Sequence, residues 1–420
     1  MQKFVVTGGT PLRGEVGIAG AKNAVLKLMA AAVLTDEPCL LTNVPRISDV
    51  AIMRETMRDI GFSVGSVAGA GLQIAAREAQ WLFVPLEAAM KMRASFILLG
   101  PLLARFGQVI ISNPGGDRIG RRPVNLHVAA MEAMGARIEY KNGYYFASAP
   151  GGLRGARISF PYVTVMGTEN ALLAASLAYG TTVIENAARE PEVDDLIAML
   201  TAMGAQITRT APHRLEVEGV ERLSGVEHRV IGDRLEAGTF AIAAAITGGD
   251  VLIRGVDPEH LASFLEVLSR MGVPFDAEDG ALRVRGTDAL RASDIETQPY
   301  PGFATDLQAP LAVLMTQASG KSHIHETIYE DRLEYTRELC RMGAAIEVLD
   351  ERHARITGPT PLQARELQIA DLRAGATLIL AALAAEETSI ISGVEHVDRG
   401  YERIESKLVA LGAQIHRIDA

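Results

Sequence analysis

An apolar residue followed by glycine closes a helical pattern of hydrophobic positions six times along the chain: Ile60-Gly61, Met134-Gly135, Met203-Gly204, Met271-Gly272, Met342-Gly343 and Leu411-Gly412. The glycines recur every 68 to 74 residues, a spacing that marks internal repeats. Glycine there fits the left-handed residue that ends a helix. An alternating strand pattern usually follows, as in Ala136–Tyr140, Ala205–Arg209 and Ala413–Arg417. Upstream, each repeat carries a helix rich in small apolar residues that runs into a turn and then a β-branched strand. Thr168–Gly180 before Thr181–Glu185 and Gly238–Gly248 before Val251–Arg254 are the clearest examples. Alanine and glycine on these helices permit close packing, so they are expected to be buried.

Each unit of about 70 residues therefore reads strand–helix–strand–helix plus strands. Six units split three and three predict two α/β domains. The polar stretch Glu227-His228-Arg229 marks one crossing between them, and Gly17-Ile18-Ala19-Gly20 the other, with the amino-terminal strand joining the carboxy-terminal half. The expected partition is residues 1–20 plus 231–420 as domain I and 21–230 as domain II.

The apolar helices begin near Lys22, Arg93, Thr168, Glu236, Asp306 and Arg373, at intervals of 67 to 75 residues. In a strand–helix–strand unit the helix start lies beside the end of the next strand. Loops after those strands hold Arg46, Asp117 with Arg122, Arg189 with Glu190, Asp257, Arg332, and Asp398 with Arg399. Helix amino termini offer free N–H groups and a positive dipole end. Lys22, Arg122, Arg332, Arg373 and Arg399 at such ends would form an anion site. Taken singly, each feature has a plainer reading. Lys22-Asn23 reads as a solvated helix start, Asp306 and Asp371 as helix caps, Pro114–Asp117 as a turn, and Asp398–Glu402 as a surface charge run. His127 and His396 read equally as structural or catalytic. Cys39 and Cys340 read as inert core thiols, and Trp81 as packed against a domain surface.

Composition narrows the picture. The 420 residues carry 41 basic and 51 acidic side chains, a formal net charge of −10, which argues against a generic nucleic-acid or anionic-membrane binder. Aromatics are only 5%, too few for base-stacking platforms. Two cysteines cannot build a disulfide framework or a cysteine-based zinc site. No run approaches about 18 apolar residues, and no signal segment is apparent. A soluble, cytoplasmic protein is the expectation. No paired-histidine or HExxH spacing implies a metal, and no nicotinamide or flavin fingerprint implies a cofactor.

Gly20–Ala24, Met92–Ser95, Pro114-Gly-Gly through Leu126-His127, Glu185–Glu192, Asp233-Arg234, Thr305-Asp306, Glu326-Thr-Ile through Arg332, Asp371-Leu-Arg373 and Asp398–Arg403 together make the sequence resemble the UDP-N-acetylglucosamine enolpyruvyl transferases (1-carboxyvinyltransferases). The likeness spans essentially the whole chain. It implies two inside-out α/β domains of three repeats each, closing over a substrate cleft. It also implies transfer of the enolpyruvyl group of phosphoenolpyruvate to the 3-hydroxyl of UDP-N-acetylglucosamine with release of phosphate, without cofactor or metal.

By this resemblance Lys22, Arg122 and Arg399 hold the phosphate, Arg332 and Arg373 the carboxylate, and Arg93 supports the phosphate region. Asn23 hydrogen-bonds the sugar. Asp306 is the base near the sugar hydroxyl. The segment Arg122-Pro123-Val124-Asn125-Leu126 clamps the uracil, and Val165, Gly167, Thr305 and Ile328 complete the nucleotide-sugar contacts. Asp117, on a lid loop of residues 113–123, is the general acid. Such a carboxyl requires burial to stay protonated near neutrality.

Three departures accompany the likeness. Asp117 stands where the family usually has a cysteine, which implies insensitivity to the cysteine-alkylating epoxide fosfomycin. Asn125 stands where the family usually has aspartate, and Tyr162 where a lysine often contacts the diphosphate. The alternatives are a paralogue acting on a modified sugar nucleotide, the shikimate-pathway enolpyruvyl transferase, and a catalytically silent sugar-nucleotide-binding regulator.

Overall fold

The computed structural model describes residues 2–69, 71–116, 120 and 122–419. All six repeat-closing glycines adopt positive φ, from +80° at Gly272 to +111° at Gly61, as the left-handed helix ending requires. The described strands form six four-stranded sheets, one per repeat. In the sheet built on Thr181–Glu185, the first strand, Arg157–Ser159, runs parallel to it and the hairpin Gln206–Ala211/Arg214–Glu218 adds antiparallel strands. The other five repeat this order.

The chain separates into two compact units, one comprising Met1–Ala19 with Gly232–Ala420 and the other Gly20–Gly116 with Arg122–Ile231. Strand exchange closes each unit. Gln2–Thr7 pairs antiparallel with both Thr388–Ser392 and the carboxy-terminal Gln414–Asp419. Arg13–Gly17 runs parallel to Asp250–Arg254. In the other unit, Glu227–Arg229 returns to pair with Cys39–Thr42. The polar crossing stretch is thus itself a strand.

Each unit buries three helices inside its sheets. We label these α1 (Lys22–Ala31), α2 (Leu99–Phe106, preceded by a 3-10 turn Arg93–Leu98), α3 (Val165–Ala175), α4 (Arg234–Ile246), α5 (Thr305–Gln317) and α6 (Leu372–Ala384). Every residue of α6 except the last is buried, and α4 is buried from Arg234 to Ala245. A helix apolar all round is an interior helix. The strands alternate accordingly, with Val251 and Ile253 or Ser389 and Ile391 turned inward and their neighbours toward solvent. Each unit has its own core of aliphatic side chains.

Two sequence expectations need correction. Cys39 is buried but Cys340 is exposed, because its short helix Thr336–Arg341 turns only one face inward. Trp81 is 71% exposed rather than packed. No helix among the described residues is long and apolar enough to cross a membrane.

Candidate functional site

In the unit that contains α4 to α6, the first turn of α5 carries Thr305 and Asp306. The cap position is Ala304, and no side chain caps this helix, so Asp306 does not have the capping role its position suggested. Its carboxylate lies between two guanidiniums. Oδ1 accepts a hydrogen bond from Arg332 Nη2, and Oδ2 accepts one from Arg373 Nη2 at 3.2 Å. Both arginines are 5% exposed. Two buried cations converging on one carboxylate are costly to assemble unless geometry and hydrogen bonds are good, and the surroundings supply both.

Arg373 Nη1 donates to the Tyr401 hydroxyl at 3.0 Å, which in turn shares a hydrogen bond with Thr239 Oγ1 at 2.9 Å. Asp371 does cap α6, accepting from the backbone N–H groups of Arg373 at 2.8 Å and Ala374 at 3.1 Å. Arg373 is therefore fixed at both ends and buried. Burial pulls its guanidinium down, but Asp306, Tyr401 and Asp233 outweigh that and hold it above its ordinary range. It is a permanent cation.

Arg332 sits on a loop ordered by the fully buried Glu326. That carboxylate accepts from Thr305 Oγ1 at 2.8 Å, Thr297 Oγ1 at 2.9 Å, Ile328 N at 2.8 Å and Tyr329 N at 3.2 Å. Thr305 and Ile328 are thus joined through one side chain. Arg399 ends the 3-10 turn Val394–Arg399 and is half-buried. Its neighbour Asp398 accepts two hydrogen bonds from Arg417, at 2.7 and 2.8 Å, so the Asp398–Glu402 run is tied to the carboxy-terminal strand rather than solvated.

In the other unit, Lys22 is the first residue of α1. Its Nζ lies 2.8 Å from Asp49 Oδ2, with side-chain exposures of 11% and 2%. Asp49 occupies the first turn of the helix Ser48–Ile60, where the dipole favours a carboxylate. Arg93 opens the turn that leads into α2 and donates through Nη2 to the carbonyls of Arg122 and, at 3.4 Å, Pro123. This holds the chain entering the helix Asn125–Ala133, whose cap residue is the buried Val124. Gly116 adopts φ +106°, and a Cβ there would stand 3.1 Å from Arg93 Cβ and 3.3 Å from Arg122 Nη2. The two arginines therefore flank Gly116.

Asn125 and Tyr162 are exposed, and Asn23, Leu126 and Val165 are half-buried. Gly167 is buried, its N–H directed at Thr164 Oγ1 at 3.4 Å. Asp117 lies outside the described residues.

His127 is buried, packs edge-on against Phe96, and its Nδ1 accepts from Asn170 Nδ2 at 3.0 Å. Burial, assisted by Arg93, pushes it down to about 3. The structure brings Asp306, Arg332 and Arg373 into direct contact within one unit, and Arg93, Arg122 and Pro123 into direct contact within the other. Tyr401, which holds Arg373, Glu326, which orders the Arg332 loop, and Asp49, which holds Lys22, were assigned no role from sequence. Tyr401 and Glu326 did fall inside the motif runs Asp398–Arg403 and Glu326–Arg332.

Known proteins resemble this chain over its full length. Residues 6–408 match the family model described as EPSP synthase (3-phosphoshikimate 1-carboxyvinyltransferase). A UDP-N-acetylglucosamine 1-carboxyvinyltransferase of Cereibacter sphaeroides is 48% identical over 423 residues, covering 100% of both chains. One from Solibacter usitatus is 46% identical over 420 residues, also with 100% coverage of both. Among solved structures, the enolpyruvyl transferase NikO from Streptomyces tendae superposes with a TM-score of 0.91 at 26% identity, covering 100% of this chain and 99% of that one. An EPSP synthase from Acinetobacter baumannii gives 0.78 at 19% identity with 100% coverage of both, a likeness of fold alone.

Proposed function

The chain belongs to the EPSP synthase (3-phosphoshikimate 1-carboxyvinyltransferase) family and, within it, to the UDP-N-acetylglucosamine 1-carboxyvinyltransferases, and from that premise we propose how its residues divide the work. The enzyme transfers the enolpyruvyl group of phosphoenolpyruvate to the 3-hydroxyl of UDP-N-acetylglucosamine, releasing phosphate, the first committed step of peptidoglycan synthesis. It acts in the cytoplasm.

Phosphoenolpyruvate carries a carboxylate and a phosphate, and fixed guanidiniums suit both, since they donate in a flat bidentate fork. Arg332 and Arg373 bind the carboxylate. Lys22, Arg122 and Arg399 bind the phosphate, with Arg93 supporting Arg122. The observation that carries this reading is Asp306 held between Arg332 and Arg373. A substrate carboxylate competes with Asp306 for the same two cations. Binding therefore releases Asp306 to accept the proton of the sugar hydroxyl as that oxygen attacks C2 of phosphoenolpyruvate. Asp117 delivers the proton to C3. Loss of a proton from C3 together with expulsion of phosphate from C2 of the adduct restores the double bond and completes the exchange. Asn23, the segment Arg122–Leu126, Val165, Gly167, Thr305 and Ile328 bind the nucleotide sugar.

A second reading is a paralogue that uses a modified sugar nucleotide. Its support is Asn125 and Tyr162, two departures from the residues the family usually carries at its nucleotide contacts, both of them exposed. Phosphate release measured with phosphoenolpyruvate plus UDP-N-acetylglucosamine tests the first reading. Release only with another sugar nucleotide would establish the second, and release only with shikimate 3-phosphate would overturn both.

A further inference from the structure

An ion pair inside the unit that carries Lys22 has no place in the chemistry above. Lys27 of α1 and Glu169 of α3 lie on the buried parts of two helices whose remaining buried residues are mostly apolar. Their charged atoms, Nζ and Oε1, are 3.4 Å apart, and their side chains are 6% and 0% exposed. Burying two such charges costs several kcal/mol per ion before attraction is counted, so stability alone gives little reason to retain them. The lysine side chain folds back toward the start of its helix, the direction helical side chains take. Its ammonium donates to the carbonyl of Asn23. That carbonyl belongs to the turn that presents Lys22 and Asn23.

The carboxyl of Glu169 is held differently. Its polar contact is the long one to the Lys27 ammonium at 3.4 Å, and among the described residues no backbone N–H or hydroxyl donates to either oxygen. It faces Lys27 from α1, and Glu190 and Glu192 from the start of the helix Pro191–Ala202. Burial is the largest influence and raises it. Lys27 lowers it, Glu192 and Glu190 raise it further, and the outcome is about 7.

We propose that Lys27 and Glu169 are positioning residues that set the anion affinity of the first turn of α1, because the pair carries one net positive charge when the carboxyl holds its proton and none when it is ionised. The proposal rests on the reading that Lys22 binds the phosphate of phosphoenolpyruvate. The protonated pair adds a cation beneath Lys22 and tightens binding, and the ionised pair removes it. Over about 10 Å at an effective dielectric near 20, one charge corresponds to on the order of a tenfold change in affinity.

The test compares the wild type with Glu169→Gln and Glu169→Asp, measuring KM for phosphoenolpyruvate and kcat on either side of neutrality. Dividing wild-type values by those of Glu169→Gln cancels the ionisations of the substrate itself. The KM ratio is expected to rise on the order of tenfold from about pH 6 to about pH 8.5, with the kcat ratio flat. Glu169→Asp, which keeps a titrating carboxyl, is expected to retain the step. A flat KM ratio, or a loss that is equal at every pH, overturns the proposal, since a merely structural pair would behave that way. Should Glu169→Gln fail to fold, Lys27→Met gives the same comparison, because its lone buried carboxyl stays protonated. A wild type that releases no phosphate at any pH fails the function itself. A wild type that turns over with a flat ratio fails only the pair.

Discussion

Replacing Asp306 by asparagine keeps the shape of the side chain but removes the charge that two buried guanidiniums share. Breaking a buried pair by deleting one partner costs about 3–5 kcal/mol. Two features reduce this here. The Asp306 side chain is 27% exposed, and Arg373 keeps the Tyr401 hydroxyl and the field of Asp233. A destabilisation of about 2–3 kcal/mol follows, which for a unit of this size is roughly 5–10 °C in Tm. Loss of the base adds a fall in kcat of about 10²–10⁴. Calorimetry and a continuous phosphate-release assay read the two effects separately. The double variant Asp306→Asn/Arg332→Gln is expected to recover part of the lost stability, with a coupling of about 1–3 kcal/mol, since it removes one of the orphaned cations. Strict additivity, or a single variant with unchanged Tm and turnover, would refute the assigned contacts.

Tyr401→Phe removes the hydroxyl that fixes Arg373, and kcat/KM for phosphoenolpyruvate is expected to fall about tenfold, as for a hydrogen bond to a charged group; an unchanged value contradicts the positioning role. His127, held near 3 by burial, folds neutral, so its contribution to stability is complete above its unfolded value near 6.5 and is lost as pH falls from there toward 3. Denaturant midpoints over that window are expected to drop less for His127→Asn than for the wild type, and an equal drop contradicts the buried neutral ring. Fosfomycin is expected to leave no covalent mass adduct on the wild type and to form one on Asp117→Cys, which should keep turnover; an adduct on the wild type would refute the insensitivity, and an Asp117→Cys variant that turns over without forming one would count against the lid assignment.

The repeat was readable because a helix that ends in a left-handed residue strongly favours glycine there, and six such glycines at one spacing leave a periodic trace. Arg373 and Arg332 were legible as charges at equivalent helix and loop ends. Their sharing of Asp306 was not, because the partners lie 26 and 67 residues away and only the fold brings them together. Position within the chain made Asp306 look like a cap, and the same logic was right for Asp371, whose side chain does accept the first N–H groups of its helix. Glu227–Arg229 was legible as a crossing but not as a strand, since three polar residues carry no alternation. Lys27 and Glu169 did leave a signal, a charge inside each of two mostly buried helices, but nothing local pairs them. Cys340 was misread because a six-residue helix is too short to reveal which face it buries.

The most direct test of the central claim is identification of the product formed from phosphoenolpyruvate and UDP-N-acetylglucosamine. Mass spectrometry and proton NMR are expected to show a sugar nucleotide bearing an enolpyruvyl ether at the 3-oxygen, formed in equal amount with phosphate. Phosphate released without that ether, or an unmodified sugar nucleotide after prolonged incubation with active protein, would contradict the account.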